Sequence, residues 1–225
     1  MCRVASDALT LTRPVSIASP APRWLSIAVV SVLAGIGSAA TADTSQLSAT
    51  VDPVTESLNG PLAGLDKTDP ASPVGLSARL EYAATLVVTT DLPCLRHLEE
   101  AQSQLDGVQA QPSIDALPSG RARIADLEYR VHAARAAKAC GGDPSKRTGE
   151  LHKALTAAQS AVNLYRDAWD YRSMVIMQFD VAVTQKMLGD DAQAVTALQA
   201  TVAMDRDLGF REDAAEIYSL LAKWQ

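Results

Sequence analysis

The C-terminal part of this chain repeats itself at an offset of 40 residues, and this internal repeat limits the possible folds more than any other feature. The matched positions are Val162 with Val202, Leu164 with Met204, Arg166 and Asp167 with Arg206 and Asp207, and, after a slip of one residue, Tyr171 and Arg172 with Phe210 and Arg211. A fixed period of this length, filled with a helical pattern, is typical of an array of stacked helix pairs. Such arrays usually bind other proteins, so the repeat favours a binding function without naming the partner.

The first 42 residues have the pattern of an export signal. Residues 1–23 carry three arginines and a single acidic residue, and residues 25–39 form an uncharged, largely apolar run that leads into the small-x-small sequence Ala40-Thr41-Ala42. This order is typical of a secretory signal peptide at 1–42. The apolar run is shorter than the roughly 20 residues of a membrane span. We therefore predict an exported protein, periplasmic or secreted, without a stable membrane span after signal cleavage; a single membrane anchor is the alternative.

The chain is acidic, with a formal net charge of −6 at pH 7, and removal of the arginine-containing signal would make it more so. Proteins that bind nucleic acid need a basic surface for the phosphates. Nucleic acid is therefore not expected as a partner, and the simplest reason for the charge is solubility. Apolar residues make up 48% of the chain, and alanine and leucine dominate its second half, which favours one packed helical domain.

Residues 43–75 differ in composition from the rest of the chain. Four prolines, three glycines and many Ser, Thr and Asp residues interrupt every apolar stripe in this segment. Such a stretch buries too little apolar surface to offset the entropy of ordering it. The sequence therefore predicts a disordered tether at 43–75 and a folded domain at 76–225.

From residue 76 onward, apolar residues recur at helical spacing, and no stretch alternates with period two for long enough to form a strand. The predicted stripes are Leu76, Leu80, Ala83 and Val87; Leu98, Ala101, Leu105 and Val108; Ile124, Leu127, Val131 and Ala134; and Leu151, Leu155, Ala158, Val162, Tyr165 and Trp169. Further helices are predicted at about 171–188, 191–206 and from 210 to the end. Ser119 and Asp143 are predicted N-caps, and Gly141 and Gly142 are predicted to end a helix. The domain is therefore expected to be all-α.

The helices predicted at 171–188 and 191–206 resemble a tetratricopeptide repeat (TPR). The turn Leu188-Gly189-Asp190 stands where that family places the turn between its helices A and B. Ala182 and Ala194 stand at positions where neighbouring helices of the family approach closely. The resemblance extends mainly over residues 146–225, and it implies antiparallel helix pairs that stack as a short TPR-like solenoid.

Some residues depart from the family pattern. Gln178 and Gln185 stand where the family usually has aromatic residues, and Thr201 replaces an alanine. Residues 76–168 match the family only in their general helical character. An ordinary antiparallel helical bundle with a similar turn is therefore the alternative architecture.

The resemblance also implies a binding surface on the helix predicted at 171–188. In the family the inner face of helix A lines a concave groove, and Gly189 sets the register that maps this face onto the present chain. The mapped residues are Ile176, Phe179, Val183 and Lys186. This helix is apolar nearly all round, so it must be covered on several sides or leave one side for a partner. A core role for the same residues is equally compatible with the sequence; as a groove, the face would suit an apolar peptide or an amphipathic helix.

Two cysteines, Cys94 and Cys140, remain after the predicted cleavage. An even number of cysteines in an exported chain suggests a disulfide. Cys94 falls in the first turn of one predicted helix and Cys140 in the last turn of the next, so the two ends would meet if these helices pack antiparallel. The alternative is that Cys94, at a helix N-terminus, is a reactive thiol.

No catalytic motif is present in the sequence: it contains no glycine-rich phosphate loop, no Gly-x-Ser-x-Gly and no His-Glu-x-x-His. The three histidines of the chain are His97, His132 and His152. They lie on predicted helices without the usual spacing of metal ligands, so we expect no enzymatic activity, no metal and no cofactor. The leading hypothesis is an exported TPR-like adaptor or scaffold that binds a protein or peptide. The rival hypothesis is a periplasmic redox-active or metal-handling protein that uses Cys94, Cys140 and nearby histidines, with His97, His132 and Glu100 as a conceivable zinc site.

Overall fold

The computed structural model describes residue 65 and residues 68–88, 94–137 and 143–224 of the 225-residue chain. The described residues form seven α-helices and one short 3-10 helix, without a β-strand, which confirms the predicted all-α class. In chain order the elements are α1 (Pro73–Val88), α2 (Cys94–Gln109), the 3-10 helix (Pro112–Ala116), α3 (Gly120–Ala136), α4 (Pro144–Asp167), α5 (Tyr171–Leu188), α6 (Asp191–Leu208) and α7 (Arg211–Trp224). The predicted signal peptide, most of the predicted tether and the pair Gly141-Gly142 lie outside the described residues.

Each helix packs against the next helix along the chain, and α1 also contacts α3. The connections that follow α4, α5 and α6 are three, two and two residues long. Connections this short place consecutive helices antiparallel. None of the helices in the described ranges combines the length and the apolar character needed to cross a membrane.

Two hydrophobic clusters hold the helices together, and α3 contributes to both. Its residues Ile124, Leu127 and Val131 join α1, α2 and the 3-10 helix in the first cluster. Ala122 and Ala125 of α3 join α4 and α5 in the second cluster, against which residues of α6 also pack. All eight residues of the first two predicted stripes are buried, so these stripes are confirmed as core. Full burial of a single leucine contributes roughly 1.5–3 kcal/mol relative to leaving it exposed.

Helix α1 begins earlier than the predicted domain boundary because Ser72 caps it. The Ser72 hydroxyl oxygen accepts a hydrogen bond from the Gly75 amide at 3.1 Å. Pro73 occupies the first helical position, where no amide hydrogen is needed. Upstream, the Ser72 amide donates to the Asp69 carbonyl at 3.0 Å. Residues 68–75 therefore form a turn and the start of a helix, which corrects their assignment to the tether.

The two predicted N-caps behave differently. Asp143 Oδ1 accepts a hydrogen bond from the Ser145 amide at 2.9 Å, which confirms this residue as the cap of α4. Ser119 precedes α3 as predicted, but its φ of 55° is left-handed and its side chain makes no capping hydrogen bond. The chain enters α3 tightly from the 3-10 helix, because a Cβ at Gly120 would lie only 2.8 Å from the carbonyl oxygen of Ile114.

The prediction that Trp169 ends the apolar stripe of α4 is wrong. Helix α4 stops at Asp167, and the Trp169 side chain is 78% exposed. Its φ of 61° lies in the left-handed region, which a bulky residue rarely adopts. A residue with this φ cannot continue a right-handed helix, so α4 ends before Trp169, which lies in the turn that leads into α5.

Three consecutive helices end in the same type of turn. The φ values are 61° at Trp169, 88° at Gly189 and 83° at Gly209. The next amide in each turn donates to a carbonyl five residues back: Asp170 to Tyr165 at 2.9 Å, Asp190 to Gln185 at 3.0 Å, and Phe210 to Asp205 at 2.8 Å. This is the Schellman arrangement of a helix C-terminus. Its recurrence every 20 residues means that the 40-residue sequence repeat is a repeat of two helices.

The substitution Trp169→Gly is expected to raise the free energy of unfolding by about 0.5 kcal/mol. It relieves a left-handed conformation that costs a non-glycine residue about 1–2 kcal/mol. Part of that gain is offset by the greater entropy of glycine in the unfolded chain and by loss of the edge contact with Tyr171, whose ring centroid is 6.0 Å away. Urea denaturation measures the change. Gly209→Trp, the reverse substitution at the equivalent turn, should lower the free energy of unfolding. If both variants are less stable than the wild type, the left-handed conformation of Trp169 is not a source of strain.

Candidate functional site

The face predicted as a binding groove lies on one side of α5, and part of it is occupied by other side chains. Phe179 is only 8% exposed, while Ile176 and Val183 are half-buried. The Lys186 ammonium lies 2.9 Å from a carboxylate oxygen of Asp191 and 5.7 Å from the ring centre of Trp224 on α7. Phe179 therefore has the burial of a core residue, and the charge of Lys186 already has two neighbours within the domain.

An open groove crosses a different side of α5. Gln178, Val181 and Gln185 are spaced by three and four residues, which places them along one stripe of the helix, and this stripe points away from the face that contains Phe179 and Lys186. Residues of α4 and α6 form the two walls. The groove has a volume of about 730 Å³ and is lined by Gln159, Val162, Asn163, Arg166, Gln178, Val181, Gln185, Ala192, Gln193, Thr196, Ala197 and Ala200.

The groove runs obliquely across the three helices. Helix α4 contributes positions 159–166 from its C-terminal third, and α6 contributes positions 192–200 from its N-terminal half. Because both of these helices run antiparallel to α5, the first set lies beside the start of α5 and the second set beside its end. The groove therefore crosses α5 diagonally rather than following its axis.

Amide side chains dominate the polar lining of the groove. The Gln185 side-chain amide donates to Gln193 Oε1 at 3.3 Å, and Arg166 Nη1 donates to Asn163 Oδ1 at 3.2 Å. Gln185 is only 7% exposed, and its Oε1 atom is buried without a hydrogen-bond partner among the described residues. A buried acceptor that has lost its water and gained no donor is unfavourable by about 1–3 kcal/mol.

Sequence reasoning did not find this groove, although one of its signals was present. In the sequence, Gln178 and Gln185 stand out only as departures from the aromatic residues of the tetratricopeptide pattern. In the structure both line the groove, together with Gln159 and Gln193 from the neighbouring helices. The predicted face and the observed groove thus lie on the same helix but on different sides of it.

Two of the three residues of the conceivable zinc site, His132 and Glu100, are engaged with other partners. His132 Nδ1 lies 2.7 Å from Glu150 Oε2 on α4, and Glu100 Oε1 accepts a hydrogen bond from the Tyr82 hydroxyl at 2.9 Å. Within the described ranges, no three His, Cys, Asp or Glu side chains converge on a position for a metal ion. The proposed disulfide is a different matter, since Cys140 and the side chain of Cys94 lie outside the described part of the structure.

A second polar cluster joins α3 to α5. Arg130 Nε lies 2.7 Å from Asp126 Oδ1 within α3, and the Tyr165 hydroxyl of α4 lies 3.4 Å from Asp126 Oδ2. The Tyr129 hydroxyl forms a hydrogen bond with the carboxyl group of Asp180 on α5. We call these five residues the Asp180 cluster. The cluster ties two helices that are not adjacent in the chain.

Burial raises the pKa of the Asp180 carboxyl to about 7, an effect that the neighbouring charge of Asp126 reinforces and that Arg130 and the Tyr129 hydroxyl oppose. Raised carboxyl pKa values occur at catalytic sites, but structural ion-pair networks produce them as well. None of the five members lines the groove. We therefore interpret the Asp180 cluster as a structural link between α3 and α5.

The substitution Asp180→Asn should make stability less dependent on pH. In the unfolded chain an aspartate releases its proton near pH 3.9, whereas folded Asp180 holds its proton up to about pH 7. The unfolded state therefore binds fewer protons between these values, and the stability of the wild-type protein falls as pH rises through this window. The melting temperature of Asp180→Asn, measured from pH 4 to pH 8, should show a smaller fall.

The exposed aspartate Asp167 provides a control for the loss of one negative charge. Asp167→Asn should follow the wild-type pH profile, because its carboxylate lies in water at the end of α4. A profile of Asp180→Asn that matches the wild type at every pH would rule out Asp180 as the group responsible.

Comparison with known proteins finds no family model, no curated protein and no solved structure that matches this chain. The function must therefore be inferred from the site itself.

Proposed function

We propose that this protein is an exported adaptor or scaffold of TPR-like architecture, and that it binds a peptide segment of a partner protein. The groove across α4, α5 and α6 carries this proposal. It spans three consecutive helices of the repeated region, and its lining contains amides, one hydroxyl, one arginine and small apolar side chains. The lining includes no carboxylate, thiol or imidazole that would serve as a nucleophile or a general base. Its composition is that of a binding surface.

The groove supports one of the two sides of α5 as the proposed docking surface. Burial does not separate the two sides, because Phe179 is 8% exposed and Val181 and Gln185 are 5% and 7% exposed. The predicted side differs in that Lys186 is already paired with Asp191. On the groove side, the walls stand apart and leave an open volume of about 730 Å³. We therefore place the partner on the groove side, and Ile176, Val183 and Lys186 become the comparison surface.

Two threonines provide a matched pair of variants that tests the proposal. Thr196 lines the groove, and Thr156 stands 40 residues earlier, at the equivalent position of the repeat and outside the groove lining. Both are exposed, and each hydroxyl donates to the carbonyl four residues back, at 2.9 Å for Thr196 and 3.0 Å for Thr156. Arginine at either position places a long side chain on the helix surface with little effect on stability, within about 0.5 kcal/mol. Only at position 196 does it fill the groove.

Thr196→Arg should therefore abolish capture of the partner from an envelope extract of the native host, while Thr156→Arg should retain it. Quantitative mass spectrometry of parallel pull-downs with the two variants and the wild type measures the difference. Val183→Arg adds a test of the opposite face. Retention by Thr196→Arg combined with loss in Val183→Arg would move the binding surface to the originally predicted face.

Export is part of the same proposal and has its own test. The basic start, the short apolar run and Ala40-Thr41-Ala42 predict that the mature protein begins near Asp43. N-terminal sequencing of the protein from the envelope or the medium identifies the first residue of the mature chain. An intact segment 25–39 in that material would contradict cleavage and support a membrane anchor.

A further inference from the structure

Three side chains of α3 surround the carboxyl group of Asp180 on α5. Arg130 and Asp126 act on this carboxyl through their charges, and the Tyr129 hydroxyl forms a hydrogen bond with it. Both helices pack along α4, but the backbones of α3 and α5 do not run in close contact with each other. Contact between α3 and α5 therefore depends on side chains such as these.

The charges of the Asp180 cluster balance only while Asp180 is protonated. Arg130 Nε lies 2.7 Å from Asp126 Oδ1, so this guanidinium and this carboxylate already neutralise each other. Burial raises the pKa values of the Tyr129 and Tyr165 hydroxyls above their ordinary value, so neither tyrosine supplies a charge. An ionised Asp180 would be a second carboxylate beside one guanidinium. A charge without a counterion is unfavourable at such a half-buried position.

The neighbouring segments bring no compensating charge to the level of Asp180. In α4, no charged residue stands between Lys153 and Arg166, and this uncharged part lies beside the middle of α5. In α6, the charged residues stand at the two ends of the helix. On α5 itself, Arg172 and Lys186 are at least six residues away from Asp180. The proton on Asp180 is therefore what keeps this contact neutral.

Tyr129 also joins α3 to two positions that lie one turn apart on α5. Its hydroxyl forms hydrogen bonds with the Asp180 carboxyl and with the Thr184 hydroxyl. The Thr184 hydroxyl in turn donates to the backbone carbonyl of Asp180 at 2.7 Å. A tyrosine hydroxyl has a single proton to donate, so a protonated Asp180 supplies the additional donor that this chain of hydrogen bonds needs.

We propose that the Asp180 cluster is a proton-controlled joint, which holds α5 against α3 while Asp180 carries a proton and opens locally when Asp180 ionises. This inference is independent of the groove, and it goes beyond a general effect on stability because it assigns the loosening to one helix contact. Opening lets water solvate the carboxylate and moves it away from Asp126. The first hydrophobic cluster joins α1, α2 and α3 through apolar side chains, so it stays packed when the joint opens.

The direction of the pH dependence follows from the two states of the joint. In the closed joint, burial and the charge of Asp126 hold the pKa of Asp180 at about 7. In the open joint the carboxyl is solvated and has its ordinary pKa of about 3.9. The open state therefore binds fewer protons between these values. The opening equilibrium should increase about tenfold per pH unit from pH 5 to pH 7 and should level off at higher pH.

Native-state hydrogen exchange of the full chain, followed by NMR from pH 5 to pH 8, measures this opening. After correction for the intrinsic exchange rate, the amides near Asp180 and Thr184 should lose protection about tenfold per pH unit up to about pH 7. Low concentrations of urea distinguish the joint from global unfolding, because a local opening exposes little new surface. Urea should leave exchange at the joint unchanged and should accelerate it at the fully buried Leu80 and Leu98.

Three variants assign the effect to the cluster. Asp180→Asn keeps the size of the side chain without a titrating group, so protection at the joint should no longer depend on pH. Asp126→Asn removes the second carboxylate and should lower the pH at which exchange levels off, because the charge of Asp126 raises the pKa of Asp180. Asp167→Asn, a change at an exposed aspartate, is the matched control and should behave as the wild type.

An NMR titration of the Asp180 carboxyl carbon in the wild-type protein tests the joint even if a variant fails to fold. A carboxyl that titrates near pH 4 would overturn the proposal. Protection near Asp180 that does not change with pH would also overturn it, as would pH-dependent exchange with the urea dependence of global unfolding. None of these results bears on the groove, so the joint and the proposed function can fail separately.

Discussion

The reversal of the chain at the helix ends is the constraint on which the rest of the domain depends. At Trp169, Gly189 and Gly209 a single residue with positive φ ends a helix, and the next residue closes the turn with a backbone hydrogen bond. Two or three residues then suffice to start the next helix in the opposite direction. Because α4, α5 and α6 are laid side by side in this way, α5 lies between two neighbours, and the groove forms across it.

Small residues let these helices approach closely enough to form a shared surface. Ala158 and Ala161 on α4, Ala182 on α5 and Ala194 on α6 are all fully buried. A longer side chain at such positions would force the helices apart, because protein interiors have no spare volume. The helices are in close contact along the line of these alanines. The polar side chains on the adjacent stripes of the same helices then form the groove walls. The packing of the array and the chemistry of the groove are thus separated onto different stripes of the same helices.

The domain treats its buried polar groups in two different ways. In the Asp180 cluster, the carboxyl group of Asp180 has Tyr129 and Arg130 as neighbours, and burial holds its pKa at about 7. In the groove, the Oε1 atom of Gln185 is buried without a donor among the described residues. Contacts between neighbours in the Asp180 cluster favour a link that fixes two helices, whereas the buried acceptor of Gln185 is a local cost in stability. The structural cluster differs from the candidate site because none of its members lines the open groove.

The sequence alone determined the helices and much of the core. The bounds of α5 agree with the prediction because Asp170 Oδ1 caps its start, accepting from the Ser173 amide at 3.1 Å, and Gly189 ends it. Local signals of this kind act within a few residues, so they can be read without knowledge of the fold. The sequence also contains the signals that start α1, an N-cap serine at Ser72 followed by Pro73, although the surrounding prolines favoured the tether interpretation.

Only the tertiary structure decided the position of Trp169 and the open side of α5. An aromatic residue at helical spacing predicts a core position, but the chain turns at Trp169 and its ring lies in water. The 40-residue offset, which aligns Trp169 with Gly209, is a sequence signal of the turn, but it does not show that the ring is exposed. Apolar residues occur nearly all round α5, so periodicity could not distinguish the stripe that contains Phe179 from the stripe that contains Val181. The choice depends on where α4 and α6 lie beside α5. That arrangement is a property of long-range packing, which the periodicity of a single helix does not encode.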